Sequence, residues 1–270
     1  PLRDEATNWF LRELRGRYDS VLKLLAKKGP CSHRALVSEY ARAGSGDEKQ
    51  LSAYLTTLIE RYTMVEKLQP VFAAGKGRKA RYAITDNFLA SWLKALARNV
   101  QMARVQPIDG CVGRADEALQ PHEGNAFEKM IRHLTEECSR RDVGDFRLTE
   151  MVRGYWNKAD GSDIEIDMVA CNRDDRVVRF GSCKRAASRH DDQALLRVDG
   201  HVDRFLRTKE GRRFSDWRIE KALYSPAFTA QDRARLNQHG CLCHDLGDFA
   251  AALARRDLPL FEISASKEET

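Results

Sequence analysis

The sequence predicts an α/β protein in two parts, a helix-rich N-terminal domain followed by a mixed sheet flanked by helices. Up to about residue 104, apolar residues recur at the three- and four-residue spacing of amphipathic helices. From Glu123 onward, strand-like runs are interleaved with helical ones, which favours a sheet covered by helices. The expected divisions are an N-terminal domain at 1–104, a linker at 105–122, a C-terminal domain at 123–258 and a tail at 259–270.

Composition and charge narrow the functional classes. Hydrophobic residues make up 42% of the chain and charged residues 32%, as in globular proteins with a real core. Apolar runs fall well short of the roughly 20 residues of a membrane span, and the first residues lack a signal-peptide pattern. We therefore expect a cytoplasmic protein that does not bind membranes. The seven cysteines are scattered through apolar segments, so we expect thiols and not disulfides.

The positive charge is concentrated in the N-terminal part. Residues 1–122 hold 20 Lys and Arg against 13 Asp and Glu, an excess of seven, whereas the whole chain carries +6. A basic excess favours nucleic-acid binding, because counterions are released when lysine and arginine meet phosphates. It is a weak indicator, since many basic domains bind no nucleic acid.

Helical patterns fill the first sixty residues. The first, over residues 3–27, ends at a Lys-Lys-Gly-Pro turn, and Ser32 then has the position of an N-cap for a second helix, HRALVSEYAR. A third helix is expected from about Asp47 to Tyr62, with Ser45 and Glu48 in capping-box spacing. Two helices separated by a glycine turn are a helix-turn-helix candidate.

A hairpin pattern follows the third helix. Met64–Phe72 and Arg81–Thr85 alternate like strands, joined by the glycine-rich, basic AAGKGRKA. Helices followed by such a hairpin predict a winged-helix domain, completed by a helix over 87–104. The residues expected to contact nucleic acid are Lys76, Arg78, Lys79 and Arg81 of the wing and Lys49 of the third helix. Acids at the start of that helix would repel phosphates, and winged helices also bind proteins, so both partners remain open.

The C-terminal part has an αβββαβ order with a central hairpin. A helix carrying Phe127 and Ile131 leads it. The expected elements after it are strands at 146–156, 163–171 and 176–183, a helix at 191–207, a strand at 218–225, a helix at 229–238, a strand at 241–243 and a helix at 246–255. This order is the skeleton of the restriction-endonuclease-like fold.

Acids within the second of these strands point to metal-dependent chemistry. In DIEIDMVA, strand alternation puts Asp163, Glu165 and Asp167 on one face, and Ile164, Ile166 and Met168 on the other. The neighbouring strand VVRFGSCKR brings out Ser182 and Lys184. Carboxylates can hold Mg²⁺ against a phosphate, and a lysine can orient the attacking water. The pattern thus indicates a nuclease-type site.

The run from about residue 50 to 190 resembles the C-terminal half of the archaeal-type ATPases, which combine a P-loop ATPase, a winged helix and a PD-(D/E)xK nuclease-like domain. The resembling segments are YLTTLIERYTMVEKLQPVF, ARYAITDNFLASWLKAL, GNAFEKMIRHL, EIDMVA and FGSCKR, in this order. The resemblance implies Mg²⁺ as cofactor, DNA as substrate and an ATPase domain or subunit as partner. It further implies Asp167 as the principal metal ligand, Glu128 as a metal or metal-water contact, Glu165 as an assisting acid and Lys184 as the catalytic lysine.

Two departures qualify this resemblance. Ser182 stands where the nuclease motif has an acid, and a hydroxyl is a poor Mg²⁺ ligand. Either Glu165 supplies the missing charge, or the domain binds DNA without cutting it. The chain also lacks a G-x-x-x-x-G-K-[ST] motif, so we expect no ATP hydrolysis from it alone. The alternative function is a non-catalytic regulatory or scaffold module that binds DNA or a protein.

Overall fold

A computed structural model describes residues 17–44, 47–73, 77 and 79–254, and the structural statements below concern these residues. It is a mixed α/β structure with one three-stranded and one five-stranded sheet. Helices of the N-terminal part are α1 Arg17–Lys28, α2 His33–Arg42, α3 Glu48–Glu60, α4 Asn87–Ser91 and α5 Ala97–Met102, with a π-helical turn at Trp92–Leu96, and its strands are β1 Cys31–Ser32, β2 Val65–Leu68 and β3 Arg81–Ile84.

The N-terminal part has its own core. Helices α1 to α3 bury leucines at helical spacing against the three-stranded antiparallel sheet of order β1-β3-β2. The Ser32 hydroxyl caps α2 by accepting from the Ala35 N–H at 3.0 Å, as the sequence predicts. The cap of α3 differs from the prediction: Asp47 accepts from the Gln50 N–H at 2.8 Å and is the N-cap itself. Ser45, expected to form a capping box, lies outside the described residues.

In the C-terminal part, the elements closely follow the predicted order. They are α6 Ile108–Arg140, β4 Arg153–Trp156, β5 Glu165–Asn172, β6 Val177–Cys183, α7 Asp192–Leu206, β7 Arg218–Ser225, α8 Ala230–Gln238, β8 Cys241–Asp245 and α9 Leu246–Ala254. The first predicted strand was too long, because only four residues of 146–156 pair with β5.

The second sheet has the strand order β4-β5-β6-β7-β8. Strands β4, β5 and β6 are antiparallel neighbours, whereas β6, β7 and β8 run parallel. Phe127 and Ile131 of α6 pack on one face of the sheet with Met168 and Ala170, and Val202 and Phe205 of α7 pack on the other face with Ile166 and Phe180. The sheet is therefore covered on both sides.

Most of the segment expected to be a linker, residues 105–122, is helical, since helix α6 begins at Ile108. Helix α6 runs for 33 residues through Gly110, Gly113, Pro121 and Gly124. Proline in a helix interior costs about 3 kcal/mol and glycine about 1 kcal/mol relative to alanine. Packing outweighs this cost, since Cys111 and Ala115, one helical turn apart, are buried. Within the described residues, the structure contains no helix that combines the length and the hydropathy of a bilayer-crossing segment.

The hairpin loop between β2 and β3 packs on the second sheet. The Val71 N–H donates to the carbonyl of Gly154 on the edge strand β4 at 2.9 Å. Val71 is buried in the core formed by β5, β6 and α7, and the Phe72 ring lies 5.5 Å from the ring of Phe214. This loop joins the two halves of the molecule.

Phe72→Ala should lower the free energy of unfolding by about 2 kcal/mol, because a partly buried phenyl ring is lost between Phe205 and Phe214. Guanidinium unfolding followed by tryptophan fluorescence measures the change. Val105→Ala is the control, since Val105 is 85% exposed and its truncation should cost less than about 0.5 kcal/mol. Equal losses in the two variants would show that the loop does not stabilise the junction.

Candidate functional site

The cleft that contains the predicted acids lies between the two halves of the molecule. Helix α1 and strands β2 and β3 form one wall, and α6, β4 and the start of β5 form the other. Its volume is about 910 Å³. Glu128, Glu165 and Asp167 all line it, so the fold brings three of the four predicted catalytic residues to one cleft.

A β-bulge sets the direction of Asp167. Arg153 pairs with Val169 and Tyr155 pairs with Ile166, so two residues of β5, Asp167 and Met168, lie opposite the single residue Gly154. The bulge interrupts the predicted alternation: Ile166 packs on the α7 side, whereas Met168 packs on the α6 side. The prediction that these two residues share a face was wrong for this reason.

Gly154 and Arg132 accommodate the bulge. A Cβ at position 154 would come within 3.2 Å of the carbonyl oxygens of Ile166 and Asp167, so the close approach favours glycine. The Arg132 guanidinium on α6 donates to the Asp167 carbonyl at 3.1 Å. The sequence analysis did not select Arg132, because its role depends on a backbone carbonyl exposed by the bulge.

Donors of β6 and the residue after it surround the Asp167 carboxylate. Oδ2 accepts from the Cys183 N–H at 2.9 Å and from the Ser182 hydroxyl at 3.3 Å, and it lies 3.8 Å from Lys184 Nζ. The predicted proximity of Asp167, Ser182 and Lys184 is thus observed. The serine in the acid position serves as a hydrogen-bond donor to the remaining carboxylate.

Glu128, on α6, lies near Asp167 and Lys184. Burial raises the pKa of the Glu128 carboxyl to about 8, and the Asp167 carboxylate adds to this rise, while Arg132 and Lys184 oppose it. This environment favours the neutral form of the Glu128 carboxyl. A neutral carboxyl leaves Asp167 as the negative charge that faces Lys184.

Glu165 pairs with Arg81 and not with Asp167 or Lys184. Its carboxylate accepts from Arg81 Nη1 at 2.6 Å, and the Arg81 guanidinium also lies 4.7 Å from the centre of the Trp156 ring. Among the described residues, no three His, Cys, Asp or Glu side chains are grouped to hold a metal ion. The predicted set of Glu128, Glu165 and Asp167 is not assembled as a ligand group, and its one charged, available carboxylate is a poor fit for Mg²⁺.

The basic wing residues also have partners in the second half. Lys79 Nζ lies 3.6 Å from Glu210, and the Lys79 carbonyl accepts from the Trp156 indole at 2.6 Å. Arg81 additionally donates to the Ala159 carbonyl at 2.9 Å. The side chains of Lys79 and Arg81 are thus partly covered by the second half of the molecule. A prediction of the wing from its charge alone does not account for this contact. Lys76 and Arg78 lie outside the described residues.

Helix α3 keeps an exposed face. Lys49 is exposed near its start, and the described residues include no carboxylate in an ion pair with it. Of the two acids that count against phosphate binding, Asp47 caps the helix and Glu48 lies 3.8 Å from His33. The face remains accessible because α3 packs on α1, α2 and β2 through its buried leucines.

Comparisons with known proteins match only parts of the chain. The model of the family DUF234, described as archaeal and bacterial proteins of unknown function, matches residues 92–195, a range that includes Glu128, Glu165, Asp167 and Lys184. An uncharacterized protein of Methanocaldococcus jannaschii, MJECL04, is 28% identical over 134 residues, which are 50% of this chain and 29% of that protein. The chain thus matches less than a third of the length of this curated relative. No solved structure matches it.

Asp167→Ala should lower the free energy of unfolding by about 1–3 kcal/mol, because it removes the acceptor of Ser182 and Cys183 and leaves Lys184 unpaired. Asp167→Asn should lose less, since an amide oxygen can still accept. Denaturant unfolding measures both. The control is Asp163→Ala, whose 62%-exposed carboxylate pairs with Lys158 and should contribute under about 1 kcal/mol. A gain in stability in Asp167→Ala would contradict this account.

Proposed function

We propose that this chain is a DNA-binding protein in which a winged-helix domain is joined to a nuclease-derived domain that binds without cutting. The observation that carries the proposal is the state of the acids. Glu165 is paired with Arg81, burial and Asp167 raise the pKa of Glu128, which favours its neutral form, and Ser182 donates to Asp167. One carboxylate then remains where metal-dependent cleavage needs at least two.

The arrangement of the second sheet supports a restriction-endonuclease-like fold for this domain. A helix, three antiparallel strands, a crossover helix and a parallel strand follow one another, with β5, β6 and their hairpin in the centre. The helices and the three-stranded sheet of the first half support a winged helix in the same way. Both assignments are part of the proposal, since fold alone does not determine activity.

For DNA, we assign the contact surface to α3. Its N-terminal turn carries the exposed Lys49, whereas Lys79 and Arg81 of the hairpin are occupied by Glu210 and Glu165. A helix of this kind enters the major groove with its N-terminal residues toward the bases. We also propose that the chain acts as the C-terminal part of an archaeal-type ATPase, an idea that rests on the resemblance of the ordered segments over about residues 50–190.

Binding of a fluorescent hairpin duplex, measured by anisotropy over a salt series, tests the DNA proposal. Lys49→Gln should weaken binding severalfold and reduce the magnitude of the salt slope by about 0.9, the value of one phosphate contact on B-DNA. Lys209→Gln, an equal change of charge at an exposed position of the second half, should leave the slope unchanged. Absence of salt-dependent duplex binding by the parent protein would overturn the proposal.

A plasmid-nicking assay with Mg²⁺ or Mn²⁺ tests the state of the nuclease-derived site. The parent should be inert, whereas Ser182→Asp or Ser182→Glu should produce nicking, because the change restores an acid beside Asp167. Adding Arg81→Gln should increase the rate by releasing Glu165. All of this activity should disappear when Asp167→Ala is added. Cleavage by the parent that requires both Asp167 and Lys184 would instead establish the catalytic alternative.

A further inference from the structure

Basic side chains without acidic partners line the cleft between the two halves. Lys67, Lys94 and Arg153 all line it, and no described carboxylate forms an ion pair with any of them. Three of the cleft's acids have cationic partners, since Glu66 pairs with Lys129, Glu165 with Arg81 and Asp167 with Lys184, whereas Glu136 accepts from the Val152 N–H. The cleft therefore has a surplus of positive charge, although the acids predicted from the sequence face it.

Lys94 is the most informative of these cations. It lies in the π-helical turn Trp92–Leu96, which interrupts the helix packed against α6. Burial lowers the pKa of Lys94, and no neighbouring carboxylate offsets this effect. Burial, and to a smaller extent Lys94, lowers the pKa of His122, which lines the cleft too. A partly buried ammonium group with no counterion favours the entry of an anion.

The shape of the cleft limits the size of that anion. One end of β3 is tied to the second half by Arg81 and Glu165, whose atoms lie 2.6 Å apart. At the other end, Lys129 of α6 donates to the Thr85 carbonyl at 3.0 Å. The cleft has a volume of about 910 Å³, which corresponds to a cube with edges of about 10 Å. A DNA duplex is wider than its own major groove, which is about 12 Å wide, so a duplex does not fit into this cleft.

The cleft also offers apolar surface beside the cations. Leu68 of β2 and the 64%-exposed Met151 before β4 line it together with Arg153. Single-stranded nucleic acid combines a phosphate backbone with apolar base faces, and grooves that bind it combine positive charge with surfaces for the bases. Inorganic phosphate would use the charge but leave the apolar surface in water.

We propose that this cleft binds single-stranded nucleic acid, with Lys67, Lys94 and Arg153 contacting its phosphates. The proposal rests on the proposed DNA-binding function and adds a second, separate surface to α3. A single strand in the cleft lies against Asp167 and Glu128, whereas a duplex on α3 stays outside it. The chain thereby binds two forms of nucleic acid at two places.

Anisotropy with labelled oligothymidylate and with a labelled hairpin duplex, both on the full chain, separates the two surfaces. The double variant Lys94→Gln with Arg153→Gln should bind oligothymidylate at least tenfold more weakly, with a salt slope reduced in magnitude by about 1.4, or two contacts of about 0.7 each. Its duplex binding should be unchanged. Arg197→Gln, at an exposed position of α7 on the opposite face of the sheet, is the charge-matched control and should bind both probes like the parent.

The outcomes distinguish the two proposals. Oligothymidylate binding that is absent, or that is the same in the double variant as in the parent, overturns the cleft assignment. If duplex binding still depends on Lys49 in that case, the DNA-binding function stands without it. Absence of binding to both probes overturns both. Circular dichroism and unfolding midpoints equal to those of the parent establish that the double variant is folded, so that a loss of affinity reports the removed contacts.

Discussion

The docking of the β2–β3 loop on the edge of the second sheet is the constraint on which the rest of the structure depends. The backbone hydrogen bond from Val71 to Gly154 covers the exposed edge of β4, and Phe72 enters the core behind it. Phe72 has a φ of 63°, a left-handed conformation that is unfavourable for a bulky residue. Packing against Phe205 and Phe214 must offset this cost, so the loop conformation and the junction stabilise each other.

The same docking determines the electrostatics of the cleft. It brings Arg81 to Glu165 and Lys79 to Glu210, which removes two cations from the hairpin surface and one anion from the acidic strand. Arg81 is held by three interactions, with Glu165, the Ala159 carbonyl and the Trp156 ring, so it is well fixed in this position. The hairpin that the sequence predicts as a DNA-contacting wing thus packs against the second half of the molecule.

Much of the fold could be predicted from the sequence, because apolar periodicity reflects local geometry. The order from α6 to α9 and the N-cap at Ser32 follow from such patterns. The continuity of helix α6 through residues 108–122 was not predicted, because proline and glycine signal a break, while the packing of Cys111 and Ala115 that sustains the helix is tertiary. The shared face of Ile166 and Met168 was wrong because the bulge opposite Gly154 follows from pairing with another strand.

The sequence predicted which residues form the candidate site but not the charges that these residues carry. The motif placed Asp167, Lys184 and Glu128 together, and these residues do interact. The motif contains no information on Arg81, which comes from a hairpin more than eighty residues earlier, or on the burial of Glu128 and Lys94. Such interactions depend on the junction between the two halves of the molecule. Local sequence patterns do not show which distant segments meet at this junction.

The charge balance of the site is consistent with the proposed binding without cutting. A cluster of ionised carboxylates repels phosphate and needs a divalent cation between them to admit it. In this protein Asp167 faces Lys184, Glu165 faces Arg81, and the raised pKa of Glu128 favours its neutral form, which lowers the negative charge of these three acids toward the cleft. Lys67, Lys94 and Arg153 then dominate the field in the cleft. Under the proposed function, a phosphate approaches this positive field without a metal ion between it and the acids.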